Sequence, residues 1–117
     1  MLSSALNAAR SGLAAESLRV EVAARNIANA STEGYVPQRV VQTALTDAGG
    51  VSAVVRPVAG PQLYTAGSQV DIVKETTTLI QAEAAYKANL AVIATVDDMT
   101  DSLLELFDND QSERDRA

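Results

Sequence analysis

The chain has 117 residues and a formal net charge of −6, and it contains neither Cys nor His. Without them it has no disulfide or thiolate chemistry, and it lacks the commonest metal ligand and general base. Its nine Lys and Arg residues are scattered rather than grouped, which argues against a nucleic-acid partner. The length supports one domain.

The apolar composition predicts a thin core. Hydrophobic residues make up 47% of the chain, but much of that share is Ala, which favours a narrow seam between helices. Small cores are marginal, and burial between chains is one common remedy. We expect no direct membrane insertion and no cleaved Sec-type signal peptide, because no apolar run approaches membrane length and the start lacks a basic segment followed by an apolar core.

Residues 3–30 are predicted to form one long helix that pairs along a narrow stripe. Steps of four and three separate most of its apolar and small residues, as is typical of paired helices. Glu16 interrupts this stripe. Gly12 costs roughly 1 kcal/mol relative to Ala inside a helix, which suggests either a close neighbour or a tolerated weak point. The stripe contains Leu2, Leu6, Ala9, Leu13, Val20, Ala23, Ile27 and Ala30.

The helix is predicted to end in a turn that leads to Tyr35. Asn29 or Gly34 can adopt the left-handed conformation that terminates helices, and Ser31 and Thr32 can bond to nearby backbone. Residues 35–67 then become rich in β-branched and aromatic side chains, which predicts a twisted β-hairpin. These side chains are Tyr35, Val36, Val40, Val41, Val51, Val54, Val55, Val58, Leu63 and Tyr64.

The hairpin is expected to turn at Asp47–Gly50, and its three prolines predict irregular or edge strands. A lone two-stranded hairpin is marginal in water, so it must lie on the helices or on another subunit.

A second helix is predicted over residues 70–107. Ser68–Asp71 resembles a capping box at its start, and acidic groups near its end oppose the helix dipole, so we expect fraying after Phe107. At about 1.5 Å per residue the helix is roughly 55 Å long and needs a partner along its length. Its 4-3 stripe is Ile72, Thr76, Leu79, Glu83, Tyr86, Leu90, Ile93, Asp97, Thr100, Leu104 and Phe107.

No group of residues predicts catalysis, a cofactor or a metal. The run Asp108–Ser112 is only superficially like a calcium loop, because it lacks the required Gly. The carboxylates of Asp97, Asp98 and Asp101 are interpreted as a solvated face. Asn29–Ser31 matches a glycosylation acceptor only formally, and no nucleophile has a recognisable base beside it. We therefore expect a protein that is not an enzyme.

Two stretches carry a family resemblance. Ala23–Tyr35 resembles the N-terminal signature of the flagellar axial proteins of bacteria, which are rod, hook and hook-associated subunits. Gly67–Glu75, Ala82–Asn89 and Val96–Met99 look like the C-terminal region of rod and hook proteins. The two signatures stand in the family's order at opposite ends of the chain.

The resemblance implies a mainly α fold, in which two long antiparallel terminal helices form a coiled-coil hairpin with a small β-hairpin insertion between them. Residues 1–34 and 68–108 would then form the helical domain, 35–67 the insertion, and 109–117 a polar, disordered tail. The short central segment is most like that of a small proximal-rod-type subunit. The tail runs beyond the usual family end.

The resemblance also implies a function, namely a structural subunit of the flagellar basal-body rod. Such subunits assemble helically into the axial tube that transmits torque and encloses the export channel. Expected partners are copies of itself, other flagellar rod or axial proteins, and the flagellar type III export apparatus. The expected location is the periplasm-spanning rod of the basal body, reached without a cleaved signal peptide. The alternative is a soluble helical-hairpin binding module, such as a secretion adaptor or chaperone, which would be stably folded and dimeric alone.

Two sets of candidate residues follow. The family motif or subunit-contact set is Asn26, Asn29, Gly34, Tyr35, Tyr86 and Asn89. The helix-seam set is Leu6, Leu13, Ile27, Leu79, Leu90 and Ile93, with Tyr86 as a further candidate. Simple capping remains the alternative role for Asn26 and Asn29, and an ordinary core position remains the alternative for Tyr86.

Overall fold

Two long helices and a two-stranded hairpin make up the computed structural model, which describes residues 1–47, 49–58, 60, 67–114 and 116. The elements are α1 (Leu2–Ala28), β1 (Gln38–Ala44), β2 (Val51–Pro57) and α2 (Ile72–Arg114). The molecule measures 83 × 25 × 14 Å along its principal axes. The expected mainly helical fold with an antiparallel β-hairpin between the helices is confirmed.

The two helices pair antiparallel. Gly12 packs against Asn89, and Asn26 bonds to Glu75, so fourteen residues along α1 correspond to fourteen residues back along α2. The same register places Leu2 opposite residue 99. Residues 100–114, which we call the α2 extension, therefore project about 20 Å beyond the end of α1 at 1.5 Å per residue.

Asp71 caps the start of α2. Its Oδ1 accepts hydrogen bonds from the backbone N–H groups of Val73 at 3.0 Å and Lys74 at 3.2 Å. The predicted cap, Ser68, instead accepts from the N–H of Val70 at 3.3 Å within the preceding loop. The assignment of Ser68 as the cap is therefore wrong. A carboxylate is better than a hydroxyl here because the helix N-terminus carries partial positive charge.

The end of α2 also differs from the prediction. Residues 109–114 continue the helix, so the expected fraying after Phe107 and the disordered tail are wrong for this stretch. Arg114 forms an ion pair with Asp110 at 3.1 Å, one turn apart. Such a pair supports the last turn, and a cation there complements the helix dipole. Residues 115 and 117 lie outside the described part of the chain.

The hairpin turns where the sequence indicated. Its strands pair from Gln38 with Pro57 to Ala44 with Val51. Gly49 and Gly50 have φ values of 69° and 98°, which favour glycine because L side chains are strained there. Leu63 and Tyr64, which were predicted to be strand residues, lie outside the described residues.

The turn of the hairpin lies against the N-terminal half of α1. The Oγ of Ser11 accepts a hydrogen bond from the N–H of Val51 at 3.1 Å and donates one to the carbonyl of Ala8 at 2.9 Å. A Cβ on Gly50 would collide with that Oγ and lie 3.3 Å from the Cα of Ala8. Gly50 therefore serves both the turn conformation and the close approach to α1.

Glu16 joins the hairpin to α1 instead of disturbing the helix pair. Its buried carboxylate accepts hydrogen bonds from Gln42 Nε2 at 3.0 Å and from Arg19 Nη1 at 3.1 Å. A buried charge is tolerated only when it is paired in this way. The hairpin thus lies on α1, as a marginal two-stranded unit requires.

Candidate functional site: a polar joint and an uncovered helix surface

Asn26 is the centre of a polar joint between α1, the hairpin and α2. Its side chain is fully buried, at 0% exposure. Its Nδ2 donates to the carbonyl of Gln38 at 2.7 Å and to Oε1 of Glu75 at 3.0 Å. Its Oδ1 accepts from the N–H of Gln38 at 3.0 Å and from the hydroxyl of Tyr35 at 3.1 Å.

These four bonds use the full capacity of the carboxamide, which has two donor hydrogens and two acceptor lone pairs. Leaving one such buried group unpaired costs about 1–3 kcal/mol. Asn26 therefore fixes the position of β1 and the start of α2 relative to α1. It does not act as a simple helix cap, which was the alternative considered for it from the sequence.

Asn29 does act as a cap. It ends α1 with φ −103°, so it is not left-handed. Its Nδ2 donates to the carbonyl of Arg25 at 2.9 Å, and its Oδ1 accepts from Thr32 Oγ1 at 3.1 Å. The left-handed position is Gly34, with φ 72°. The N–H of Gly34 then donates to the carbonyl of Gly67 at 3.2 Å, which ties the turn to the loop before α2.

Four of the six motif residues thus meet at one end of the helix pair: Asn26, Asn29, Gly34 and Tyr35. Sequence reasoning missed Glu75 as a member of the joint. It stands 49 positions from Asn26, and no local spacing links the two. The only signal was its place inside the Gly67–Glu75 motif.

Asn89 lies elsewhere, in the close crossing of the helices. A Cβ on Gly12 would stand 2.6 Å from Asn89 Nδ2, which is closer than real Cβ atoms approach. That Nδ2 also donates to the carbonyl of Ala85 at 3.0 Å. Gly12 therefore marks close packing, the first of the two interpretations made from the sequence.

The buried line of α2 runs one position away from part of the predicted seam. Within the chain it follows three buried residues, Glu75, Ala82 and Val96, with half-buried Asn89 between the last two, at intervals of seven. Leu90 is 45% exposed, so its assignment to the seam within the chain is wrong. At the Gly12 crossing, the α2 side chain that meets α1 is Asn89, one position before Leu90. The other seam residues are half-buried: Leu6, Leu13, Ile27, Leu79 and Ile93.

Tyr86 borders an open groove between α1 and α2. Its side chain is 37% exposed, and Val20 and Leu79 line the same groove. At the rim, Lys87 Nζ stands 2.7 Å from Glu83 Oε1. That hydrogen bond and the positive charge of Lys87 lower the pKa of Glu83 below its ordinary value.

The α2 extension carries large apolar side chains that the single chain leaves exposed. Phe107 is 69% exposed, and three leucines of the extension are exposed as well. Exposed contiguous apolar surface marks an interaction site in soluble proteins. The exposed large apolar residues of the extension are Leu103, Leu104, Leu106 and Phe107.

Among the described residues, no group of three or more Asp or Glu side chains is arranged to bind a metal ion. No helix within the same residues is long and apolar enough to cross a membrane.

Family models match both ends of the chain. A model described as "Flagella basal body rod protein" matches residues 6–35, and one described as "Flagellar basal body rod FlgEFG protein C-terminal" matches residues 62–106. The chain belongs to the flagellar basal-body rod protein family. In this rod-family chain, the first matched region contributes Asn26 and Tyr35 to the joint, and the second contributes Glu75.

Two curated relatives give the same family. A flagellar basal-body rod protein FlgG of Caulobacter vibrioides is 40% identical over 68 residues, which are 56% of this chain and 26% of that relative. A flagellar basal-body rod protein FlgG of Agrobacterium fabrum is 55% identical over 38 residues, which are 32% of this chain and 14% of that relative. The rod-family chain thus spans about a quarter or less of the relatives it matches.

Proposed function

We propose that this chain is a structural subunit of the bacterial flagellar basal-body rod. It assembles with copies of itself and with other axial proteins into a helical tube that transmits torque and encloses the export channel. The observation that carries the proposal is that both family matches coincide with the two paired helices and meet at the Asn26 joint. The role is mechanical rather than enzymatic.

The helices and the hairpin have different roles in the proposed assembly. Residues 1–34 and 68–114 form the helical domain that packs along the tube, and the hairpin forms the insertion on its outside. Few apolar side chains are buried within the single chain. The subunit therefore buries most of its apolar surface against neighbouring subunits. Fully burying one exposed Leu or Phe side chain contributes about 1.5–3 kcal/mol, and the α2 extension offers four of them.

Subunit contact is assigned to the side chains that the single chain leaves uncovered. Tyr86 and Leu90 lie on α2 outside the buried line, and we propose that they contact neighbouring subunits. Asn26, Asn29, Gly34 and Tyr35 act on joint geometry, because their hydrogen bonds are satisfied within the chain.

We also propose that the flagellar type III export apparatus delivers the subunit by passing the chain unfolded to the growing rod. The small buried core supports this route, since a marginal fold is easily unfolded. The chain also contains no Cys that would oxidise outside the cytoplasm.

The test is deletion of the gene followed by imaging of purified basal bodies. We expect loss of motility and a truncated rod, with both restored by the wild-type gene on a plasmid. Motile cells with complete rods would overturn the proposal. A folded cytosolic dimer that never enters basal bodies would instead support the secretion adaptor or chaperone.

A further inference from the structure

The net charge of the chain is concentrated at one end. Residues 1–87 contain seven acidic and seven basic groups and are formally neutral, whereas residues 88–113 contain seven acidic groups and no basic one. Most of those seven belong to the α2 extension. One end of the molecule is therefore both strongly acidic and apolar, and the rest is balanced.

The acidic groups form a stripe on the extension. Asp101, Glu105 and Asp108 follow steps of four and three, which place them on one helical face, and all are exposed. Like charges at these spacings destabilise a helix by a few tenths of a kcal/mol per pair. Leu104, also exposed, adjoins this face. We call these four residues the acidic stripe.

A basic surface of matching composition lies on the hairpin. Arg39 and Arg56 are direct cross-strand partners, and Val41 and Val54 are the next pair on the same face. Both arginines are exposed, and Val54 is 49% exposed. We call these four residues the hairpin outer face.

Arg39 and Arg56 are like charges placed directly opposite each other. Like charges directly opposite each other destabilise a strand pair. Among the described residues, each ion pair found involves another cation, namely Arg19, Arg25, Lys87 or Arg114. An anion bridging both guanidinium groups would remove this repulsion.

The acidic stripe of the same chain cannot reach the hairpin outer face. Arg39 follows Gln38, which joins Asn26 at the level of Glu75. Asp101 is 26 residues further along α2, about 40 Å at 1.5 Å per residue. That distance exceeds the combined reach of an arginine and an aspartate side chain. Only a second molecule, displaced along the helix axis, can bring the two surfaces together.

We propose that the acidic stripe of one copy docks on the hairpin outer face of a second copy. Arg39 and Arg56 donate to the carboxylates of Asp101 and Glu105, for which the planar guanidinium is well suited because it bonds carboxylates in pairs. Val54 of the second copy covers Leu104 of the first. The inference rests on the proposed function and deepens it, since it names the two surfaces that join successive subunits.

Cysteine cross-linking tests the contact, because the chain contains no native Cys. One tagged copy carries Val54→Cys and a second carries Leu104→Cys. After mild oxidation of intact basal bodies and of the purified mixture, we expect a mixed disulfide dimer. Ser17→Cys, an exposed α1 position, paired with Leu104→Cys is the control and should give at least tenfold less.

Charge reversal tests the chemistry. Arg39→Glu with Arg56→Glu in the Val54→Cys copy should lower the yield at least tenfold, and Arg39→Lys with Arg56→Lys should retain more of it. Asp101→Arg with Glu105→Arg in the Leu104→Cys copy should restore the yield. Circular dichroism should show that every variant remains folded, since all four positions are exposed.

A yield that is independent of charge, an absent rescue, or equal cross-linking from Ser17→Cys would overturn the docking. So would the absence of any mixed dimer in basal bodies that contain the protein. In that last case the deletion phenotype would still stand, and the subunit role would survive without this contact.

Discussion

The Nδ2 of Asn26 lies 3.0 Å from Oε1 of Glu75, and this bond joins the two helices across 49 positions of sequence. It is a buried amide-to-carboxylate contact. The same carboxamide orders the first residue of β1 and the Tyr35 hydroxyl, so one side chain sets the geometry of three elements.

Removing that side chain should cost more than removing any cap. Asn26→Ala leaves Glu75, Gln38 and Tyr35 without partners, and we expect a loss of about 2–4 kcal/mol in the free energy of unfolding. Asn29→Ala, at the neighbouring cap, should cost about 1 kcal/mol or less. Urea unfolding followed by circular dichroism measures both. Equal losses would contradict the joint.

The contact between Gly12 and Asn89 predicts a strong coupling. Gly12→Ala raises helix propensity by about 1 kcal/mol, but its Cβ displaces the Asn89 side chain, so we expect little or no gain. In an Asn89→Ala background the same change should stabilise the fold by up to about 1 kcal/mol. A double-mutant cycle in urea checks this, and additive effects would refute it.

Two aspartate substitutions distinguish the buried line of α2 from its exposed side. Ala82→Asp places a charge where the side chain is fully buried, and we expect it to unfold the isolated chain, since an unpaired buried charge costs several kcal/mol. Leu90→Asp should change the stability of the isolated chain by no more than about 0.5 kcal/mol. If Leu90 contacts a neighbour, this variant should be exported yet leave cells non-motile. Thermal unfolding and swimming assays provide the readouts.

The α2 extension predicts an assembly defect without a folding defect. Phe107→Ser with Leu103→Ser removes exposed apolar surface that the single chain does not bury. The melting temperature of the purified protein should stay the same, while its amount in basal bodies falls at least tenfold. Ser102→Ala, on the same extension, is the matched control. A lower melting temperature would mean that the extension packs within the chain.

The ion pair of Lys87 with Glu83 gives a pH prediction. The folded-state pKa of Glu83 is below its ordinary value, because Lys87 donates a hydrogen bond to it and carries a positive charge. The pair therefore supports the fold above the unfolded pKa, and this support is lost as the pH falls through the lowered value. Lys87→Met should return the pKa of Glu83 toward 4.5, the reference value for a free Glu. Side-chain carboxyl NMR titration measures it, and an unchanged pKa would contradict the pair.

The sequence allowed prediction of the elements better than of their contacts. The spacing of hydrophobic residues predicts both helices, and runs of β-branched residues predict the hairpin. The glycines at positions 49 and 50 predict the turn of the hairpin. Part of the α2 seam lies one position from its predicted place, because counting apolar residues favours Leu90, whereas the side chain that packs against Gly12 is that of Asn89. Residues 109–114 remain helical although their acidic groups oppose the helix dipole. The ion pair of Asp110 with Arg114 supports this last turn. The role of Asn26 depended on Gln38 and Glu75, and no local pattern reveals such distant partners.

The long separation between Asn26 and Glu75 has a consequence for the order of events during folding. In a chain that emerges from a narrow conduit with its N-terminus first, α1 and the hairpin are complete while Asn26 still lacks its carboxylate partner. Closing so large a loop is slow compared with forming local turns. The two helices therefore pair first at the joint and then progressively away from it. The acidic end of α2 is the last part of the chain to emerge. A subunit that is cut short before Glu75 cannot form this bond, so the joint reports whether the chain has arrived as far as the first turn of α2.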